Sequence, residues 1–340
     1  MFMSNYGFNQ RSYHCQSLVL KGILCTLFLI IPGRVPAQQR AESVVSIASR
    51  SMSAIEHFIA QDKGYFRDEG LDVKLVQIRS SVAIAAALAG EIDALDAIPT
   101  AISAIERGAP LKILAVSFVR PLFWLVSRPQ YKSIAQLRGT IAGVPSIGGA
   151  NHTALRHLLT KGGLNPETDV TTIVAGDSPS QLQALISNSI QAAVLSLPFV
   201  IVARDKFGMN VLESAINDYV SIQGGVAVTE KTLREQGKRI RGVMKALTRA
   251  KRLFHEDRES TLNVIMKLLA VDRRTASETY NLSKPAFTVD GMVKKEEAQE
   301  YLERDAERLR LKSITPISTV FDFSIQESIN AGLSETSKVR

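Results

Sequence analysis

The chain has 340 residues, 45% of them hydrophobic and 22% charged, with a formal net charge of +8. Its two cysteines, Cys15 and Cys25, both lie in an N-terminal segment read below as a leader. The rest of the chain is therefore expected to hold no disulfide, no thiolate metal site and no cysteine nucleophile. The basic excess is spread over stretches such as 238–252 and 294–312, with no Lys/Arg run interleaved with aromatics, so nucleic acid is not an expected partner.

Arg11 and Lys21 make the first segment basic, and no acidic residue precedes Glu42. An apolar run, Gly22–Ile31, is followed by Pro32-Gly33 and by the small-residue end Val35-Pro36-Ala37. This order predicts a signal peptide over residues 1–37, cut after Ala37, and a periplasmic protein. The apolar run is short for a membrane span, an uncleaved anchor being the alternative reading. Cys25 follows Gly22-Ile23-Leu24, without the small preceding residue of a lipobox. Removal of Arg11, Lys21 and Arg34 leaves the mature chain near +5, and about 300 residues suffice for one or two sizeable cores.

From residue 44 to about 228, strands are expected to alternate with helices, as in parallel βαβ units. Val44–Ala48 reads as the first strand. Ser53 with Glu56 reads as a capping box that starts a helix with an Ile55, Phe58, Ile59 stripe and a stop at Gly64. Asp72–Ile78 reads as the second strand, followed by a helix capped by Ser80 or Ser81. Ile92–Leu95 is a third strand, Pro99 opens a helix that ends near Gly108, and Leu111–Phe118 is a fourth strand. Leu122–Ser127 reads as extended, and Ser133 as the cap of a short helix. Further strands are expected at Thr140–Val144, Val170–Val174 and Ala192–Leu197, with Ser178 and Gln181 as a second capping box. After Gly224-Gly225 the chain turns helical, at about 230–256, 258–270, 272–282 and 290–310. Strand, capped helix and strand recur in 44–118 and in 140–200, as two similar lobes would produce.

The stretch Lys63-Gly64-Tyr65-Phe66-Arg67-Asp68-Glu69-Gly70-Leu71-Asp72-Val73, followed by Gly90-Glu91-Ile92-Asp93-Ala94, resembles the opening of substrate-binding proteins of bacterial ABC importers for sulfonates, taurine and nitrate. Relatives of that family bind thiamine-precursor pyrimidines. The resemblance covers roughly residues 44 to 310. It implies an α/β, two-lobe periplasmic-binding-protein fold of the type II kind, with mostly parallel sheets flanked by helices and a ligand cleft between the lobes. It also implies a discontinuous first lobe, 40–122 plus 224–335, and a second lobe over 123–223. The two crossings would lie near Ser117–Leu125 and Val220–Ala227.

In open parallel sheets, ligands bind beyond the carboxyl ends of strands, where loops enter helix N-termini. That rule selects the candidates. Foremost is the loop Ser146, Ile147, Gly148, Gly149 and Ala150, which follows a strand and enters a helix. An ordinary strand-to-helix turn is its plainer reading, and no Gly-Lys-Ser/Thr follows to make a Walker loop. Ser51 and Met52 follow the first strand, with Ser53 assigned to capping. Arg79 and Ser80 end the second strand, where the arginine could pair an anion in two-point fashion or lie at the surface. Asp96 ends the third strand and Thr100 opens its helix. Asp96 and Arg79 favour opposite ligand charges, so they serve one zwitterion or pair with each other. Ser196, Gln223 and Gly224 complete the set. Phe118, Phe123 and Trp124 line the cleft or fill the hinge, as aromatics usually do.

His152 and His157 are five apart and share no helix face, and neither His-Glu-x-x-His nor Gly-x-Ser-x-Gly occurs. No metal, cofactor or catalytic residue is expected. The resemblance implies a monomeric, non-enzymatic receptor that binds a small polar or anionic organic solute and serves an ABC permease in the inner membrane. Alternatives are a sensory protein for a membrane receptor and an enzyme like the eukaryotic pyrimidine-precursor synthases. The latter depend on a cysteine-rich motif that the mature chain lacks.

Overall fold

The structure is a computed structural model and describes residues 40–338. The expected leader, with Cys15 and Cys25, lies outside the described residues. The elements run in chain order β1 (Ala41–Ile47), α1 (Ile55–Asp62), α2 (Tyr65–Asp68), β2 (Leu71–Gln77), α3 (Ser80–Ala89), β3 (Ala94–Leu95), α4 (Ile98–Ile105) and β4 (Leu111–Phe118). There follow β5 (Phe123–Ser127), β6 (Ile141–Val144), α5 (Ala150–Lys161), β7 (Thr171–Val174), α6 (Ser178–Ile186), β8 (Ala192–Ser196), α7 (Phe199–Phe207) and β9 (Asn210–Ser214). Then come β10 (Gln223–Thr229), α8 (Glu230–Glu256), α9 (Arg258–Leu269), α10 (Arg273–Ser283), α11 (Lys295–Leu309), α12 (Ile317–Val320) and α13 (Ser324–Lys338).

The strands form two five-stranded sheets, ordered β2-β1-β3-β10-β4 and β7-β6-β8-β5-β9. In the first, β1 runs parallel to β2 and β3, while β10 is antiparallel to β3 and β4. In the second, β6 is parallel to β7 and β8, while β5 is antiparallel to β8 and β9. Each sheet thus has four mutually parallel strands and one antiparallel strand. The antiparallel strand is in each case the one that the chain lays down as it crosses from the other sheet. The sequence echo between 44–118 and 140–200 is this repeated order.

Strands β4, β5 and β8 are buried along nearly their whole length, as expected where helices cover both faces of a sheet. The long helix α8 presents Ile240, Val243, Met244, Leu247, Ala250 and Phe254 at helical spacing, all buried. Phe254 sits 4.5 Å from Phe287 and 5.3 Å from Tyr280, centroid to centroid. Phe118 meets Phe287 at 5.2 Å, and Phe123 and Trp124 are buried too, so these aromatics are core.

The capping expectations are corrected in three places. A 3-10 turn, Met52–Ala54, precedes α1, which starts at Ile55, and Ser53 caps nothing with its side chain. Glu56 instead turns inward, where its carboxylate accepts from Lys251 Nζ at 2.5 Å and from Ser117 Oγ at 2.8 Å. Both ionised side chains are nearly fully buried, and a buried carboxylate needs a cation more than a helix start needs a box. Ahead of α3 the cap position belongs to Arg79, without a side-chain bond, and Ser80 is already helical. The cap of α6 is Asp177, which accepts from the Ser180 amide, while Gln181 donates to Gly176 O. The third strand is shorter than expected, and β9 and the helices beyond 316 were not anticipated.

The return crossing is built on close backbone approach. A Cβ on Gly225 would lie 2.1 Å from Ala115 O, and one on Gly224 would lie 2.7 Å from Ser53 O. Both glycines also hold positive φ, +133° and +61°. The Gly225 amide donates to Asp96 Oδ1 at 2.9 Å, which pins β10 beside β3. In the Gly-Glu-Ile-Asp stretch, Asp93 has a similar task. Its carboxylate accepts from Ser43 Oγ, the Val44 amide and Arg239, tying β1 to α8.

Candidate functional site

A cavity of about 730 Å³ opens where helix starts from the two sheets approach each other. Pro99, Thr100 and Ser103 of α4 line it from the first sheet. Gly148, Gly149, Ala150 and Thr153, at the entry of α5, line it from the second. Tyr219, Ser221 and Gln223 of the return crossing form its floor. Tyr301, Arg304, Asp305 and Arg308 of α11 form a side wall.

The sequence-based set divides accordingly. Thr100, Gly148, Gly149, Ala150 and Gln223 are brought together at this cavity, with Ser146 and Ile147 exposed on the same loop. Ser51, Met52, Arg79, Ser80, Asp96, Ser196 and Gly224 do not line it. Met52 is buried in the core, and Ser51 Oγ shares hydrogen bonds with the hydroxyls of Ser49 and Ser53, each at 2.8 Å. Ser196 Oγ pairs with Ser178 Oγ at 3.0 Å. Arg79 is exposed, Asp96 is buried on the Gly225 amide, and no ion pair joins them. Burial raises the Asp96 carboxyl well above its ordinary range; the Gly225 amide opposes this and Glu56 adds to it.

The α11 wall was missed, although its spacing was readable. Residues 301, 304, 305 and 308 fall on one helix face, an aromatic and three charged groups where a surface helix usually places either solvated charge or apolar core. Asp305 accepts from Ser103 Oγ at 2.9 Å and from Arg308 Nε at 2.6 Å, binding α11 to α4. Beside it, both oxygens of Glu106 are buried, with the Asp305 carboxyl as a neighbour. Burial, then Asp305, pushes the Glu106 carboxyl up to about 8. Arg304 donates to Val220 O and to Glu300, and its guanidinium lies 5.0 Å from the Tyr219 centroid and 5.5 Å from that of Tyr301. Burial raises the Tyr219 hydroxyl to about 12. On α5, burial and then Arg156 lower His152, whose Nδ1 accepts from the Gly148 amide at 2.9 Å.

The helix starts at this cavity are electrostatically bare. Neither α4 nor α5 has a side-chain cap or an acidic residue in its first turn. The same holds for α3 and α7, which also begin after strands of the two sheets. The positive end of the helix dipole there favours a negative or strongly polar group; at α4 the Ile98 amide already donates to Asp96 O and Pro99 has no N–H.

Two mixed sheets flanked by helices, each crossed by one strand from the other half, make this a periplasmic-binding-protein fold. A family profile described as NMT1/THI5 like matches residues 52–260, and the chain belongs to that family. Among solved structures, it is similar to a protein from Bordetella bronchiseptica RB50, with 19% identity, a TM-score of 0.71 and coverage of 87% of this chain and 99% of that one. It is similar to the periplasmic aliphatic sulphonate binding protein SsuA from Escherichia coli, with 17% identity, a TM-score of 0.67 and coverage of 85% and 99%. It is also similar to the desulfurization enzyme DSZB, with 13% identity, a TM-score of 0.66 and coverage of 86% and 100%. Among curated proteins, none matches the sequence.

Proposed function

We propose that this protein is the exported, substrate-binding component of an ABC importer, working in the periplasm as a monomer. It captures a small anionic or strongly polar organic solute between its lobes and delivers it to an inner-membrane permease. In this reading residues 1–37 are a leader, 40–122 with 224–335 form one lobe, and 123–223 form the other. The lobes hinge about the two crossings, β4 to β5 and β9 to β10, and closure over the ligand is what the permease reads.

The observation that carries the proposal is the convergence of uncapped, acid-free helix starts from both sheets on one cavity. A ligand anion held there touches both lobes at once, which is how binding energy becomes closure. The likeness to an enzyme, DSZB, is one of fold, and function resides in the site.

The test is a thermal-shift screen of the purified protein against sulfonates, taurine, nitrate, pyrimidines, aromatic acids and amino acids. A ligand at about a hundred times its Kd adds roughly 2.7 kcal/mol of stability. A saturable shift with anionic solutes is expected. Shifts with neutral apolar compounds alone would overturn the reading.

A further inference from the structure

We propose that the solute is an aromatic acid, a ring bearing a carboxylate or sulfonate. Its acid group sits at the starts of α4 and α5 and its ring against Tyr219 and Tyr301. This rests on the binding reading above and names the ligand class for the same cavity.

Tyr301 is the first reason. It lines the cavity, is 9% exposed, and among the described residues its hydroxyl makes no hydrogen bond. A nine-tenths buried phenol without a partner is a donor that a bound molecule can satisfy. The second reason is the wall around it. Arg304, fixed by Val220 O and Glu300, spreads its guanidinium over the rings of both tyrosines. Aromatic faces backed by a planar cation suit a flat, electron-rich ring better than a small hydrated ion.

The third reason is size and charge. Ile147, on the loop that enters α5, is 59% exposed and offers an aliphatic group to an apolar body. The cavity, about 730 Å³, also falls in the range of roughly 300–1,000 Å³ typical of organic ligands, and nitrate or taurine would leave most of it to water. A cationic ring is disfavoured, because Asp305 is already engaged by Ser103 and Arg308 and Glu307 stands at the exposed rim.

Calorimetric titration of the purified protein tests this with matched probes: benzoate against acetate, benzenesulfonate against methanesulfonate, then taurine and nitrate. The aromatic member of each pair is expected to bind at least about tenfold more tightly. Tyr219→Ala and Tyr301→Leu should remove most of that preference, whereas Tyr301→Phe keeps it and loses only the hydroxyl's share of affinity. Tyr219 is only half-buried, so its variant serves if Tyr301→Leu does not fold. Equal or tighter binding of the aliphatic acids, taurine or nitrate would overturn the aromatic assignment and leave the receptor reading standing. No binding of any of the six probes would overturn the aromatic assignment, and an equal silence across the wider screen above would overturn the receptor reading as well.

Discussion

The helices of this protein begin in two different ways. In the C-terminal region, α8, α9 and α10 are each capped by a side chain, with Thr229, Asp257 and Asp272 accepting from the amides of Thr232, Ser260 and Thr275. The next helix, α11, has no such cap but carries Glu296 and Glu297 in its first turn. Among the helices that follow strands of the two sheets, α3, α4, α5 and α7 have neither device. The exceptions are α6, its start already occupied by Asp177, and α1, which has Glu56 in its first turn. Where the fold needs only stability, the chain supplies its own anions. Where sheets open towards each other, it leaves positive helix ends unanswered, at a cost of about 1 kcal/mol for each missing cap.

The largest effect expected lies on the stabilising side of that contrast. Lys251→Met strands Glu56 in the core without its cation and should cost about 3–5 kcal/mol in denaturant unfolding. Ligand affinity of the folded protein should be unchanged, since neither residue lines the cavity. A loss of affinity without a loss of stability would blur the division between the two regions.

Next in size is a change that makes a cleft helix resemble a tail helix. Ala150→Glu places an acid in the exposed first turn of α5. It should weaken an anionic ligand by about tenfold, or 1.4 kcal/mol, while leaving the unliganded protein as stable or about 0.3–1 kcal/mol more so. The converse change, Asp272→Ala, removes a tail cap. It should cost about 1 kcal/mol of stability and leave ligand affinity unaltered, as calorimetry and thermal melts on the same samples would show.

The smallest effect concerns pH. The Glu106 carboxyl is held at about 8 in the fold against an ordinary 4.5, by burial first and Asp305 second. Between those values the folded chain keeps a proton that the unfolded chain has released, so stability falls as pH rises from 4.5 to 8 and then levels. Glu106→Gln should flatten this part of the Tm profile, matching the parent near pH 5 and exceeding it near pH 8. His57 acts at the acid side. Fully buried with both ring nitrogens unpartnered, it is lowered to about 4, mainly by burial. The fold therefore loses stability as pH falls from 6.5 towards 4.

Much of the architecture was legible because strand and helix periods are local. In the Lys63–Val73 stretch, α1 stops at a left-handed Gly64 and a strand begins at Leu71, close to expectation, but the short helix α2 lies between them. The extended run at 122–127 was readable, but that it and the segment after Gln223 cross between the sheets came only from the family resemblance. The capping boxes were not, because Ser53…Glu56 and Ser178…Gln181 match the pattern while tertiary partners claim the side chains. Lys251, almost two hundred residues away in sequence, takes Glu56, and nothing local announces that. The strand-end rule found the Ser146–Ala150 loop and Thr100. It passed over the α11 wall because that helix belongs to no strand end and reaches the cavity only through packing. Ser51, Ser196 and Asp96 satisfied the rule in position, but their polar atoms are held by neighbours inside the protein.

The central claim is that the bare helix starts of α4 and α5 form the binding site for an anionic solute. The most direct measurement is the ligand-induced thermal shift in three proteins side by side: the parent, Ala150→Glu and Asp272→Ala, each titrated with benzoate and benzenesulfonate. The account predicts a saturable shift in the parent, the same shift in Asp272→Ala from a lower starting Tm, and a shift moved to about tenfold higher ligand in Ala150→Glu. An undiminished response in Ala150→Glu, with the parent clearly binding, would contradict it.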